Sequence, residues 1–166
     1  MSSPQIDASR LISLEPLDTL ITNPTRYSGT KPKFGIISMM KNPQKLSAWI
    51  NYHLNECLVD YIILLLEDTS EKFYQQFINH PKIHIKSDNI DNKNNYFNLI
   101  TRQTQKVNES LKFIRNLGVE YLLFIDNDEL LYLHQGINNL YSFLNQNNQY
   151  DNFKISNIEA IYTKYE

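Results

Sequence analysis

Four short strand-like stretches, at residues 34–39, 59–66, 82–86 and 119–125, alternate with segments of helical periodicity. That alternation is the strongest constraint on what this chain can fold into. Runs of Ile, Leu, Val and Phe this short and this continuous read as strands buried on both faces. Between the first two runs, Leu46, Trp49, Ile50, His53, Leu54 and Cys57 form an i, i+3, i+4 stripe, which predicts an amphipathic helix. Asn42-Pro43 is read as its start, with Asn as cap and Pro at the first helical position. A short helix is expected through Phe73, Phe77 and Ile78. A long one is expected over 96–116, with Leu99, Val107, Leu111 and Ile114 inward and Gly118 just past its end. Residues 136–147 predict another helix and 153–158 a last strand. The order β-α-β-α-β-α-β implies an α/β fold with a mostly parallel sheet covered on both faces.

In such sheets ligands sit beyond the carboxyl ends of the strands. Three of these ends carry polar residues: Met40-Lys41-Asn42, Glu67-Asp68-Thr69-Ser70 and Asp126-Asn127-Asp128-Glu129. The last is the most demanding. An apolar strand that runs straight into three carboxylates concentrates negative charge at a sheet edge, which is unfavourable unless a cation balances it. Oxygen ligands of this kind suit Mg²⁺ or Mn²⁺, ions usually shared with a substrate phosphate.

Composition narrows the partners. The chain has 166 residues, 42% hydrophobic and 20% charged, with a net charge of −2. This is enough for one domain with a sizeable core. Residues 1–32, broken by Pro4, Pro16, Pro24 and Pro32, read as a leader segment, and 33–166 as the folded domain. The slightly acidic balance disfavours nucleic acid as a partner, which calls for a basic face. No apolar run reaches the length of a membrane span, and the first ten residues lack a signal-peptide core. Cys57 is the sole cysteine, so no internal disulfide forms and a reducing, cytoplasmic location is expected.

Taken in order, these residues resemble glycosyltransferases of the GT-A fold, in particular the family-2-like and family-92-like group with a D-x-D-E-[FL]-L signature. The similarity is spread over 34–131. Lys41-Asn42 stands where the family often reads Lys/Arg-Asn-Glu, with Pro43 in place of the Glu. Leu46, Trp49, Tyr52 and His53 match an L-x-E-W-x-x-Y-H helix, with Ala48 in place of the Glu. Glu67-Asp68-Thr69-Ser70 resembles D-D/N-x-S, and Arg102, Gln103, Asn108 and Leu111 resemble R-Q-x(4)-N-x-x-L. Asp126-Asn127-Asp128-Glu129-Leu130-Leu131 completes the series.

The resemblance implies a Rossmann-like three-layer α/β/α sandwich and a metal-dependent, hexosyltransferase-like enzyme. Its donor would be a nucleotide-sugar, a UDP-sugar foremost, and its acceptor an unidentified glycan or protein. The loop at Ser38, Met39 and Lys41, with Glu67 and Asp68, would hold base and ribose. Arg102 and Gln103 would face the nucleotide-sugar. Asp126 would touch ribose or sugar and share the metal, Mn²⁺ or Mg²⁺, with Asp128. Glu129 would brace the loop. In the family, more chain follows the acidic motif and supplies the acceptor surface and a catalytic base. Here Asp151, Glu159 and Glu166 are the late acids and none lies in a motif, so no catalytic base is assigned. A non-catalytic nucleotide-binding module, or a fragment of a larger glycosyltransferase with further domains, is therefore the standing alternative.

Blander readings accompany each residue. A D-x-D after a strand is often a solvated loop, and Asp68 or Ser70 also suits the cap of a helix from Glu71. Trp49, Tyr52 and Leu54 read as core, His53 as a satisfied core histidine and Cys57 as inert. His84, alternating with Ile83 and Ile85, is expected to face solvent. His80 and His134 are isolated, with no zinc-type spacing. A phosphatase of the haloacid-dehalogenase type also uses D-x-D, but there the motif opens the domain, whereas here about 35 residues follow Glu129. A sugar nucleotidyltransferase would need a Gly-rich loop after the first strand, where this chain has only Gly35.

Overall fold

A computed structural model describes residues 15–16, 31–90, 98–133, 140–147, 149–150 and 152–155. Its centre is a four-stranded parallel sheet of β2 (Lys33–Met40), β3 (Tyr61–Glu67), β4 (Ile83–Asp88) and β5 (Val119–Phe124). The order across the sheet is β4-β3-β2-β5. A further two-residue strand, β1 (Glu15–Pro16), pairs antiparallel with β6 (Phe153–Lys154). The expected last strand thus lies outside the parallel sheet and instead ties down a piece of the leader. Several expectations fall outside the described residues: the rest of the leader before Lys31, the Asn-rich loop at 91–95, the helix start at Tyr96, the helix stretch 136–139, the strand end through Ile158, and His134, Asp151, Glu159 and Glu166.

Side-chain alternation divides the sheet into two faces. Ile36, Met40, Ile62, Leu64 and Leu66 pack with Leu46, Trp49, Ile50 and Leu54 of the first helical segment and with Leu140 and Leu144 of α3 (Leu140–Gln146). Ile37, Met39, Ile63 and Leu65 pack on the other side with Ile114 of α2 (Leu99–Asn116). Burial on both faces explains why β2 and β3 are almost uninterruptedly apolar. Gly35 belongs to this packing, since a Cβ there would stand 3.1 Å from a Val119 methyl on β5. Among the described residues no helix is long and apolar enough to cross a membrane.

The first helical segment departs from expectation. α1 (Leu46–Asn51) begins three residues after Pro43 and continues as a π-helical turn over Tyr52–Glu56. Asn42 does not cap it. Asn42 is left-handed (φ 43°), and its N–H donates to Thr69 Oγ1 at 3.0 Å, so the loop is pinned to the end of β3 first. The expected helix through Phe73–Ile78 is reduced to two 3₁₀ turns, Glu71–Phe73 and Gln75–Phe77, and Ser70 makes no side-chain cap. On α2 the buried positions are Lys106, Ser110 and Ile114, with Leu99 and Val107 packed beside them and Leu111 half-buried. The helix stops as expected at Gly118, whose φ of 75° suits glycine. His84 does not face solvent. Its ring lies between Tyr61 (5.8 Å) and Phe113 (4.9 Å), because this stretch of β4 is covered by α2.

Candidate functional site

All four sheet strands point the same way, so their carboxyl ends share one edge. From β2 the chain runs to β3 and β4 on one side, then returns to β5 on the other. The reversal falls between β2 and β5, and at such a switch point the two exits splay apart and leave a crevice. An open cleft of about 460 Å³ lies at this edge. Met39, Met40 and Lys41 from the β2 exit line it, with Glu67 and Asp68 from β3 and Ile90 beyond β4. The amino-terminal turns of α2 contribute Leu99, Arg102 and Gln103, and the β5 exit contributes Asp126, Asn127 and Asp128. The sheet thus brings together every expected site residue except Ser38. That side chain is fully buried, does not line the cleft, and its hydroxyl has no partner among the described residues. It lies two residues inside the end of β2, where both faces of the sheet are covered.

One wall of the cleft is an ion-pair network. The β3–β4 register sets Glu67 beside Asp88. Arg102 donates Nε–H to Glu67 Oε1 and Nη2–H to Oε2, both at 3.1 Å. Lys106, one helical turn further on, sits 3.1 Å from Glu67 and 3.0 Å from Asp88. Burial pushes the Glu67 carboxyl up, but hydrogen bonds and charge from Arg102 and Lys106 outweigh it and hold the group below its ordinary value. Both Glu67 oxygens are therefore committed to protein cations, and the side chain serves to aim Arg102 (bidentate geometry fixes a guanidinium plane as well as its position). Lys106 and Asp88 were not anticipated. The signal available was a lysine on the inward stripe of α2, four residues from Arg102, where a buried charge requires a partner.

Next to this network, Asp68 is left-handed (φ 42°) and bridges two loops. It accepts from Lys41 Nζ at 2.9 Å and from the Ile90 N–H at 2.7 Å, and these bonds lower its pKa. Asp68 therefore holds Lys41 at the mouth rather than capping a helix.

The opposite wall is acidic. Burial raises the Asp126 pKa, and the neighbouring charges of Glu129 and Asp128 raise it further. Glu129 turns back to accept the Asp126 N–H at 2.9 Å, and its own N–H reaches Asp126 O at 3.2 Å, closing a tight turn. The bracing role expected of Glu129 is thus visible. Among the described residues no group of three or more His, Cys, Asp or Glu is arranged to hold a metal ion. Asp126 and Asp128 offer hard oxygen donors only, and a small divalent ion held by one or two carboxylates takes its other ligands from phosphate oxygens and water. The carboxylate crowding that raises Asp126 is the kind of strain a cation relieves, so the donor set fits Mn²⁺ or Mg²⁺.

This acidic turn is fastened from below by residues read as core in the sequence. Trp49 Nε1–H donates to Glu129 O at 2.8 Å. Tyr52 Oη–H donates to Leu131 O at 2.9 Å, and Cys57 Sγ–H to the same oxygen at 3.3 Å. Burial and neighbouring Cys57 and Glu56 raise the Tyr52 hydroxyl to about 12, and burial raises the Cys57 thiol to about 11, so both stay protonated donors. Fully buried His53 bridges Trp49 O and the Leu131 N–H.

Comparison with family models, with curated proteins and with solved structures returns no match.

Proposed function

We propose that the chain is a GT-A-like, three-layer donor-binding domain of a metal-dependent glycosyltransferase that takes a nucleotide-sugar, most plainly a UDP-sugar. The observation that carries this reading is the two-walled cleft at the switch point, with Lys41 and Arg102 on one side and Asp126 and Asp128 on the other. A nucleoside diphosphate is an anion with attached polar groups, and a cleft pairing fixed cations with a carboxylate pair for a divalent ion matches it.

In the reaction an acceptor hydroxyl oxygen bonds to the anomeric carbon of the donor. The bond from that carbon to the diphosphate oxygen breaks, the diphosphate leaves with the electron pair, and the hydroxyl proton passes to a general base. A bound divalent cation supplies Lewis-acid neutralisation of the leaving diphosphate. Arg102, oriented by Glu67, faces the nucleotide-sugar. Gln103 hydrogen-bonds the nucleotide-sugar, and Lys41 and Asp68 border the base and ribose. Asp126 and Asp128 hold the cation.

The test is thermal melting with UDP, GDP and CMP, each with and without Mn²⁺, followed by a screen for sugar release from UDP-sugars. Ligand at about 100 times its dissociation constant stabilises by about 2.7 kcal/mol, which for a domain this size is a rise of roughly 5–11 °C. The expected result is a rise with UDP only when Mn²⁺ is present. No rise with any nucleotide overturns the donor-site reading.

A further inference from the structure

The position of the acidic turn is not set by the sheet alone. After Ile125, whose N–H still reaches Ile37 O at 3.3 Å, the chain leaves the β ladder. From there, Glu129 and Leu131 are held by side chains of α1 and its π-helical turn, almost eighty residues earlier in sequence. His53 both gives and takes a hydrogen bond to the backbone. The Leu131 N–H has only a donor to offer, so His53 Nε2 must be the acceptor at 3.2 Å. Nδ1 then carries the proton and donates to Trp49 O at 2.9 Å. The ring is fixed further by Trp49 at 4.2 Å and by Tyr52, edge-on at 5.2 Å. Widening of the helix at Tyr52–Glu56 is the kind of local departure that re-aims side chains at functional sites.

We propose that His53, as the neutral Nδ1–H tautomer, is a positioning residue that sets the Asp126–Asp128 pair through Leu131. This inference rests on the donor-site reading for its effect on ligand binding, but not for the hydrogen bond itself. It assigns His53 the part of an outer partner of a cation site, which touches no ligand and orients the carboxylates that do. Losing such a partner weakens metal affinity by about 10- to 100-fold. Glutamine is the conservative replacement, because its Oε1 reaches the place of Nε2 and accepts as the ring nitrogen does. Phenylalanine keeps the ring volume and removes both bonds.

The experiment combines three readouts on wild type, His53→Gln and His53→Phe. Ring-nitrogen NMR of the wild type reads the tautomer. Amide hydrogen exchange reads protection at Leu131 against sheet amides such as Ile63. Calorimetry reads Mn²⁺-dependent UDP affinity. The expected results are an Nδ1–H ring, Leu131 exchange that accelerates in His53→Phe with Ile63 unchanged, a matching about 10- to 100-fold loss of affinity, and recovery of both in His53→Gln. An Nε2–H ring in the wild type overturns the proposal, as does unaltered Leu131 protection in His53→Phe. If His53→Phe does not fold, wild type and His53→Gln decide: failure of folded His53→Gln to keep Leu131 protected also overturns it. If wild type binds no nucleotide, the donor-site reading falls while the ring and exchange data still judge His53.

Discussion

Replacing Glu67 by Gln is the sharpest test of the energetics. The carboxylate is nearly buried, its side chain 8% exposed, and it faces Arg102 (20%) and Lys106 (11%). Removing one partner of a buried ion pair costs about 3–5 kcal/mol, because the remaining charge stays desolvated and uncompensated. Two features favour the lower end. Lys106 keeps Asp88 at 3.0 Å, and Arg102 retains some contact with water. The expected loss is therefore about 3 kcal/mol, a fall of roughly 6–12 °C in Tm for a chain of 166 residues. The pH dependence has a definite sign. The folded-state pKa of Glu67 lies below its ordinary 4.5, so its stabilisation is complete above that value and is lost as pH falls through the folded pKa. Melting curves in parallel at neutral and acid pH should show the gap between wild type and variant closing on the acid side. A Glu67→Gln protein that melts within about a degree of wild type at neutral pH, where the ion pair is intact, refutes the reasoning, since such a result corresponds to under ~0.5 kcal/mol.

Asp128→Ala should abolish most Mn²⁺-dependent UDP binding by calorimetry while leaving Tm unchanged or higher, because it relieves repulsion with Asp126; unchanged affinity removes the cation assignment. Burial lowers the His53 pKa below 6.5, against the Trp49 hydrogen bond that raises it, so its contribution is complete above 6.5 and is lost as pH falls through the folded value. Wild-type Tm should therefore drop on acidification from pH about 7, and His53→Gln should flatten that slope; parallel slopes argue against a buried neutral imidazole. Gly118→Ala places a Cβ on a left-handed residue (φ 75°) and should destabilise by about 1–2 kcal/mol, read as a Tm fall of roughly 2–8 °C. An unchanged Tm means that the α2 terminus relaxes without cost.

Apolar periodicity was a good guide to element type, because a covered sheet face or helix face leaves a direct signature. The runs around Ile36, Leu64 and Leu123 became strands, and the stripe through Leu46, Trp49 and Ile50 became a helix. Boundaries failed where tertiary contact set the backbone, as at Asn42, which is left-handed and tied through its N–H to Thr69, so that helix α1 begins only at Leu46. The site residues were legible as a class, since polar residues at the ends of parallel strands must meet at one edge. Their division of labour was not. Glu67, expected to help hold base and ribose, lines the cleft and is also ion-paired with Arg102 and Lys106, a partnership the sequence did not reveal.

The sequence by itself thus determined which segments extend or coil, and that Asp126 and Asp128 follow an apolar strand, although that strand, β5, is a half-exposed edge strand rather than a buried one. Tertiary structure decided that β5 lies beside β2, that the cleft opens there, that Ser38 turns inward, and that Trp49, Tyr52 and His53 hold the acidic turn. The physical reason is range. Apolar periodicity reports which face of an element a side chain occupies, but a hydrogen bond between Leu131 and His53 depends on two backbones, 78 residues apart, arriving at the same place.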